Sequence, residues 1–287
     1  MELQQMRYAV AVAEERSFTR AAERCHVVQS ALSHQIKALE RELGANLFAR
    51  TSRRVEVTAA GEAFVARARE SLGAAERAVS DVAAAAGQII GTLTIGVIPT
   101  VTAIDVPAAL GAFHRAHPAV RISLRDGGSD EFIAALKDGS MDAAVLGLPD
   151  SMPPQGVESK VLARERLAAV VSADHPLASR RRLRLEDLAD ETFVDFPADT
   201  PGRVPSDLAF RAAGLRRDVA FEATSIDLIL GLVRHDLVVA LLSPAVTPDS
   251  DDLRAIPVTQ GPTRVEYLAW SGFNPSPAAQ AFVRSLS

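Results

Sequence analysis

Hydrophobic positions fall into three regimes along the chain. From residue 1 to 57 they recur at helical spacing. Leu3, Met6, Val10 and Ala13 predict a first helix with one apolar face. A break at Arg16–Ser17 precedes a brief helix carrying Ala21 and Ala22, and a turn at His26–Val28 follows. Leu32, Ile36, Leu39 and Leu43 then predict a longer amphipathic helix, which Gly44 closes in the position favoured by C-terminal glycines. Between Phe48 and Val57 the period shortens to about two, with Thr51–Arg54 as a turn, which predicts a small hairpin.

The second regime is a single long helix. Thr58 stands where an N-cap belongs. Ala68, Leu72, Ala75, Val79, Val82 and Ala86 follow in steps of four and three, the spacing of a coiled-coil seam. About 29 residues at 1.5 Å each give a rod of roughly 43 Å. The helix cannot bury so narrow a stripe by itself. It packs on its own domain or pairs with a second copy, and the expectation is a dimerisation helix.

Beyond residue 91 strands and helices alternate, as in α/β domains. Strands are expected at Thr92–Ile98, Val120–Leu124 and Asp142–Leu148, with helices at Ile104–His117 and from Ser129, as N-cap, to near Gly139. After Pro153–Pro154 the rhythm restarts. Strands are expected near Leu167–Ser172, Thr192–Phe196, Val219–Ala223 and Leu237–Leu242, and helices near Pro205–Ala213 and Ser225–Arg234. Two α/β lobes in series with a cleft between them follow from this pattern. By pattern alone the last strand, Val265–Trp270, and helix, Pro277–Leu286, could close either lobe.

Composition narrows the class. A chain of 287 residues suggests two domains of about 150 residues each, and 48% hydrophobic with 23% charged residues is ordinary globular composition. The apolar run around Leu237–Leu242 falls short of the ~18 residues of a membrane span. The run Tyr8–Ala13 sits between Glu2 and Glu14–Glu15, without the basic start of a signal peptide, so a cytoplasmic location is expected. The single cysteine, Cys25, excludes an internal disulfide and a multi-cysteine metal site. The net charge of −5 is uneven: residues 1–60 carry nine basic against seven acidic side chains, while residues 61–287 carry 22 against 29. A slightly basic head on an acidic body fits a small nucleic-acid-binding module joined to a domain that binds something else.

Two short helices separated by a turn, the second amphipathic, have the arithmetic of a helix-turn-helix. With Leu32, Ile36 and Leu39 turned inward, the opposite face presents Gln29, Ser30, Ser33, His34 and Lys37. A glutamine can pair bidentately with adenine, serine serves base or phosphate, and lysine or histidine reaches guanine acceptors or phosphates. Arg20 on the preceding helix is counted with them, and Arg53 and Arg54 at the hairpin tip would reach phosphates or a minor groove as a wing. Any solvent-facing helix shows polar residues, so geometry alone leaves the bland alternative open.

The run SFTRAAERCHVVQSALSHQIKALERELGANLFARTSRRVEVTAAG, residues 17–61, resembles the winged helix-turn-helix of LysR-type transcriptional regulators. The resemblance rests on Ala21–Ala22, Gln29–Ser30, Ser33, Leu39–Glu40, Leu43–Gly44, Leu47–Phe48, Arg50 and Thr58 through Gly61, and continues through SADHPLA at Ser172–Ala178. It departs at Cys25, where the family usually has leucine, and at Val28, where it has serine or threonine. Cys25 reads as a small core residue, and Val28 removes an N-cap at a cost of about 1 kcal/mol. His235–Asp236 falls where relatives often have glycine before a strand, so the turn there is expected to differ.

The resemblance implies an α/β protein overall: an N-terminal, otherwise all-α winged helix-turn-helix (1–58), a linker helix (59–88), and two Rossmann-like lobes of a periplasmic-binding-protein-like sensor (91–287). Lobe I takes about 91–161 plus 266–287, and lobe II about 162–265. It further implies a homodimer or a tetramer built as a dimer of dimers, double-stranded promoter DNA and a small-molecule effector as partners, and allows RNA polymerase as another. Helix N-termini offer unpaired N–H groups to an anion, and Thr100, Val101, Thr102 and Ser129 lie at such starts. Phe196, Arg203, Thr224 and Ser225 sit at strand ends or helix starts in the second lobe. A carboxylate effector held by Thr100, Thr102 and Arg203 is the expectation.

Catalysis has no support in the sequence. No phosphate-loop or dinucleotide fingerprint, no Gly-x-Ser-x-Gly elbow and no metal-ligand spacing among the six histidines is present. Asp105, Asp126 and Asp195 read as turn or helix-start residues. No catalytic residue, cofactor or metal is therefore expected. A plain solute-binding module would explain the last two-thirds of the chain but not the helix-turn-helix in front of it.

Overall fold

The computed structural model describes residues 1–50 and 55–286. They form two compact units: Met1–Gly91 with Asp138–Ser140, and Thr92–Lys137 with Met141–Ser287.

The first unit comprises α1 (Leu3–Glu15), α2 (Phe18–Arg24), α3 (Gln29–Leu43), the strands β1 (Phe48–Arg50) and β2 (Val55–Val57), and α4 (Ala59–Ala85). Arg16 ends α1 in the left-handed region (φ 48), and the Ser17 hydroxyl starts α2 by accepting the Arg20 amide. Leu32, Ile36 and Leu39 are fully buried against Tyr8, Val12, Phe18, Ala21 and Phe48, while Leu43 is 40% exposed. The buried face of α1 differs from the expected stripe. Gln5, Tyr8, Ala9, Ala11 and Val12 point inward, whereas Leu3 is exposed and Met6, Val10 and Ala13 are half-buried. The cause is that α1 packs on α2, α3 and α4 at once. Small residues admit close approach there, and Gln5 donates to Gln35 Oε1 at 3.1 Å. Cys25 is half-buried against the same core, and burial raises its thiol pKa.

The hairpin strands pair antiparallel; the expected turn at residues 51–54 lies outside the described residues. The Thr58 hydroxyl accepts the Gly61 amide at 3.0 Å and donates to the Asn46 carbonyl at 2.7 Å, so one residue caps α4 and ties it to the hairpin. A Cβ on Gly61 would stand 2.1 Å from the Leu47 carbonyl oxygen, which only glycine avoids. Farther along α4, Val79 and Val82 are 65% and 73% exposed.

The second unit has two lobes. In lobe I a five-stranded sheet runs β4 (Val120–Asp126), β3 (Gly91–Val97), β5 (Ala143–Pro149), β12 (Thr263–Trp270), β6 (Glu158–Arg166). β3 and β5 are parallel, and β12 lies antiparallel between β5 and β6. Helices α5 (Val106–Ala116), α6 (Ser129–Lys137) and α9 (Pro277–Ser285) belong with it, the rings of Phe113 on α5 and Phe282 on α9 meeting edge-on at 5.5 Å. The Asp105 carboxylate caps α5 by accepting the Ala108 amide at 2.9 Å. Lobe II holds β7 (Ala168–Ser172) between β10 (Ala240–Leu242) and β11 (Leu253–Pro257), all antiparallel. The parallel pair β8 (Thr192–Asp195) and β9 (Asp218–Glu222) joins them through a bridge from Phe193 to Val239. Helices α7 (Val204–Ala212) and α8 (Ile226–Arg234) complete the lobe.

β6 and β11 have no counterpart in the periodicity. β6 is a sheet edge whose nine residues, ESKVLARER, are mostly exposed, so neither face carries an apolar run. Because β6 and β12 pair over their whole length, lobe boundaries at 161/162 and 265/266 would cut through both strands. The chain leaves lobe I after Arg166 and returns at Thr263. Asp236 adopts φ 53, the left-handed conformation that the absent glycine would favour.

Candidate functional site

The first surface is the outer face of α3. With its apolar stripe sealed against α1 and α2, Gln29, Ser30, His34 and Lys37 stand exposed and Ser33 is half-buried. No side chain caps the start of α3 at Val28, which is 69% exposed. Arg20 is exposed on α2, but its guanidinium donates to the Glu15 carbonyl and lies 3.4 Å from the Glu15 carboxylate. Arg53 and Arg54 lie outside the described residues. One fixing contact escaped the sequence reading: Glu40 Oε1 accepts the amides of Leu47 (2.8 Å) and Phe48 (3.2 Å), joining α3 to the first hairpin strand.

The second surface is a cavity of about 1030 Å³ between the lobes of the second unit. Nearly every segment lining it leaves the carboxyl end of a strand: 98–101 after β3, 126–131 after β4, 196–202 after β8, 224–227 after β9 and 245–246 after β10. In open α/β folds that edge is where ligands bind. Thr100, Val101, Ser129, Phe196, Thr224 and Ser225 all line it.

Their hydrogen bonds differ from the expected ones. Ser129 is no N-cap; its buried hydroxyl donates to the Gly147 carbonyl (3.1 Å) and accepts the Gly147 amide (3.0 Å), clamping α6 onto β5. Ser225 does cap α8, accepting the Leu228 amide. Thr102 is not among the lining residues; its hydroxyl donates to Glu266 Oε1 at 2.6 Å. Arg203 is not there either, being held by Asp207 at 3.1 Å and Glu222 at 2.6 Å.

The cation that does line the cavity is Arg264, which the expected last strand, starting at Val265, left out. Its guanidinium donates to the Glu165 carboxylate, to Glu266 Oε1 at 2.9 Å, and to both the hydroxyl and carbonyl of Thr100. Glu266 is fully buried and also accepts the amides of Thr102 (3.1 Å) and Ala103 (3.0 Å). Glu165 accepts the Ser243 hydroxyl, so this network joins β6 and β12 of lobe I to the end of β10 in lobe II. The alternation Arg264-x-Glu266 reads as a solvated strand face; only the placement of β12 inside the sheet reveals it as buried.

A second buried arginine supports the 196–202 segment. Arg217 donates to Asp195 Oδ2 at 2.6 Å and to Asp207, with the Phe193 and Phe210 rings 5.2 and 5.5 Å from its guanidinium carbon. Asp195 is thus not a simple turn residue. Burial pushes its carboxyl up to about 6 from 3.8, against the opposing pull of Arg217 and of its hydrogen bond from the Phe196 amide.

Residues 3–62 match the family profile "Bacterial regulatory helix-turn-helix protein, lysR family", and residues 86–287 match "LysR substrate binding domain". The HTH-type transcriptional regulator YnfL of Escherichia coli (strain K12) is 35% identical over 292 residues, covering 98% of this chain and 96% of that protein. Among solved structures, a full-length OxyR variant from Pseudomonas aeruginosa aligns with a TM-score of 0.78 and 28% identity, covering 100% of this chain and 94% of that one. Full-length CbnR complexed with its target DNA aligns with a TM-score of 0.69 and 26% identity, covering 100% of this chain and 99% of that one.

Proposed function

This chain belongs to the LysR family of bacterial helix-turn-helix transcriptional regulators, and from that premise we propose how its surfaces divide the work. It is a DNA-binding regulator with an effector-binding domain, and not an enzyme. The first unit reads promoter DNA through α3 in the major groove, with Gln29, Ser30, Ser33, His34 and Lys37 as the contacting side chains and Arg53 and Arg54 reaching phosphates beside it. Arg20 contributes only if it leaves Glu15. The second unit binds a small-molecule effector in its cavity, at Thr100, Val101, Ser129, Phe196, Thr224 and Ser225, whereas Thr102 and Arg203 support the walls. The exposed side chains of Val79 and Val82 on α4 support a dimer joined through that helix, and a dimer of dimers places two such pairs on one promoter. Such a regulator acts in the cytoplasm, and no described helix is long and apolar enough to cross a membrane.

The observation that carries this reading is the exposed polar face of α3 over a sealed three-residue stripe, in a segment that matches the regulatory helix-turn-helix profile. Effector binding regulates only if it favours one assembly over another, so ligand and DNA must be coupled. A footprint of the full chain on the intergenic DNA beside its own gene should show a protected inverted repeat. Protection that no longer exceeds that of unrelated DNA at moderate salt would overturn the reading.

A further inference from the structure

The chemistry of the cavity walls specifies a charge for the ligand. Three carboxylates line the cavity: Asp126 and Glu131 from lobe I and Asp227 from lobe II, all on exposed residues. Glu131 folds back over the wall, its Oε2 lying 2.7 Å from where a Cβ on Gly127 would be. Against them stands one lining cation, Arg264, paired with both Glu165 and Glu266, so that cluster contributes a formal excess of one negative charge rather than a free positive one. The other cations near the 196–202 segment are likewise paired, Arg203 with Asp207 and Glu222 and Arg217 with Asp195 and Asp207.

Helix N-termini are the remaining source of positive potential. α6 and α8 both begin at the cavity and α7 begins just beyond Gly202 on its wall, and each N-terminus is worth about half a positive charge. The first-turn acids Asp130 and Glu131 on α6, Asp207 on α7 and Asp227 on α8 already offset those ends. The three helix starts therefore balance between one and two carboxylates, and the walls remain negative. Low-dielectric walls focus such a field into the cleft.

We propose that the ligand of this cavity is a small organic cation, a molecule with a protonated or quaternary nitrogen and no carboxylate to match. The inference rests on the cavity being the effector site and names the class of effector it takes. A carboxylate ligand would enter a negative cleft in which no guanidinium is unpaired. A cation finds the three carboxylates at the walls, with the Thr100 hydroxyl, whose oxygen accepts from Arg264, left to donate its proton to a neutral acceptor on the same molecule.

The test measures the cavity potential directly. Cys25 is the chain's single cysteine, so a Cys25→Ser background accepts one new thiol at the cavity wall (Thr224→Cys) or at an exposed control position (Gln155→Cys). Each full-length variant is treated with two methanethiosulfonates of similar size, one carrying a trimethylammonium and one a sulfonate. The cationic-to-anionic rate ratio should be about tenfold or more higher at the wall than at the control. Adding Asp126→Asn, Glu131→Gln and Asp227→Asn, all at exposed positions, should bring it back towards the control value. The wall adduct bearing trimethylammonium should also melt at a higher temperature than the sulfonate adduct. Equal or inverted ratios, or a more stable sulfonate adduct, overturn the proposal. If the ratios hold but neither wall adduct changes the DNA footprint, the cation preference stands and it is the effector-site reading that fails.

Discussion

The recognition face of α3 and the hydrogen-bonded framework behind the cavity hold their polar groups in opposite states. On α3 Gln29, Ser30, His34 and Lys37 stand in solvent over a sealed apolar stripe, ready to contact an external polymer. Around the cavity the hydroxyls of Ser129 and Thr102 and the guanidiniums of Arg203 and Arg264 are already committed to carbonyls and carboxylates of the protein. The difference sets what a substitution removes. At the exposed positions of α3 it subtracts an interaction with DNA and leaves the fold; at these four residues it subtracts from the fold first and from ligand recognition second.

The largest effect should come from breaking the cavity network. Arg264→Met leaves Glu266, fully buried, with no counter-ion, and removing one partner of a buried pair typically costs about 3–5 kcal/mol. Adding Glu165→Gln and Glu266→Gln should restore much of that. Unfolding in urea can be followed through Trp270, the single tryptophan, which lies on the same strand as Arg264. A single variant as stable as the natural chain would show that the network is not structural, and the contrast with α3 would collapse.

Asp195 gives the same contrast a pH dependence. Its carboxyl titrates at about 6 in the fold, above the ordinary 3.8. The folded state therefore binds the extra proton between those values. The contribution to stability is complete below about 4 and is lost as pH rises through about 6, a span worth about 3 kcal/mol at most. Relative to Asp195→Asn, which cannot titrate, the natural chain should lose stability across that window and then level off. A flat difference, or one that grows with pH, would mean that Arg217 outweighs burial.

On α3 the expected losses are smaller and of another kind. Gln29→Ala and Ser33→Ala should each cost about 1–3 kcal/mol of discrimination between the operator and altered sequences, and the exposed Gln29→Ala should leave unfolding unchanged. Lys37→Ala should weaken binding to all sequences alike and reduce its salt dependence. Competition binding across a salt series separates the two behaviours. If Lys37→Ala changed base preference and Gln29→Ala did not, the roles along the helix would be reversed.

These states also explain what could be read from the chain beforehand. The helix-turn-helix was legible because its determinants are local: Leu32, Ile36 and Leu39 recur within eight residues, Ser17 and Gly44 mark ends, and Thr58 caps the next helix. The lobes were legible wherever a strand is buried on both faces, as in β5 and β7. β6 was not, because an edge strand with exposed charged residues lacks that signature. The site residues divided in the same way. Position at a strand end brought Thr100, Ser129, Phe196, Thr224 and Ser225 to the cavity, but the occupation of Thr102, Arg203 and Arg264 depends on Glu266, Glu222 and Glu165, each distant in sequence or on another strand.

The smallest prediction sharpens the comparison by improving a region that has room for it. The start of α3 lacks a side-chain cap because Val28 occupies the N-cap position, with extended backbone (φ −73, ψ 141) and a mostly exposed side chain. The backbone is already in the capping conformation, so a serine there needs no rearrangement to accept an amide of the first turn. Little apolar burial is lost in the exchange. Val28→Ser should stabilise the first unit by about 1 kcal/mol, read as a later unfolding midpoint for α3. No comparable gain is open at the cavity, where the capping hydroxyls of Ser225 and Ser243 are already in use. A destabilised Val28→Ser variant would mean that the valine side chain carries a packing role that its exposure conceals. Unchanged stability with weaker DNA binding would instead place the uncapped amides of α3 against a phosphate.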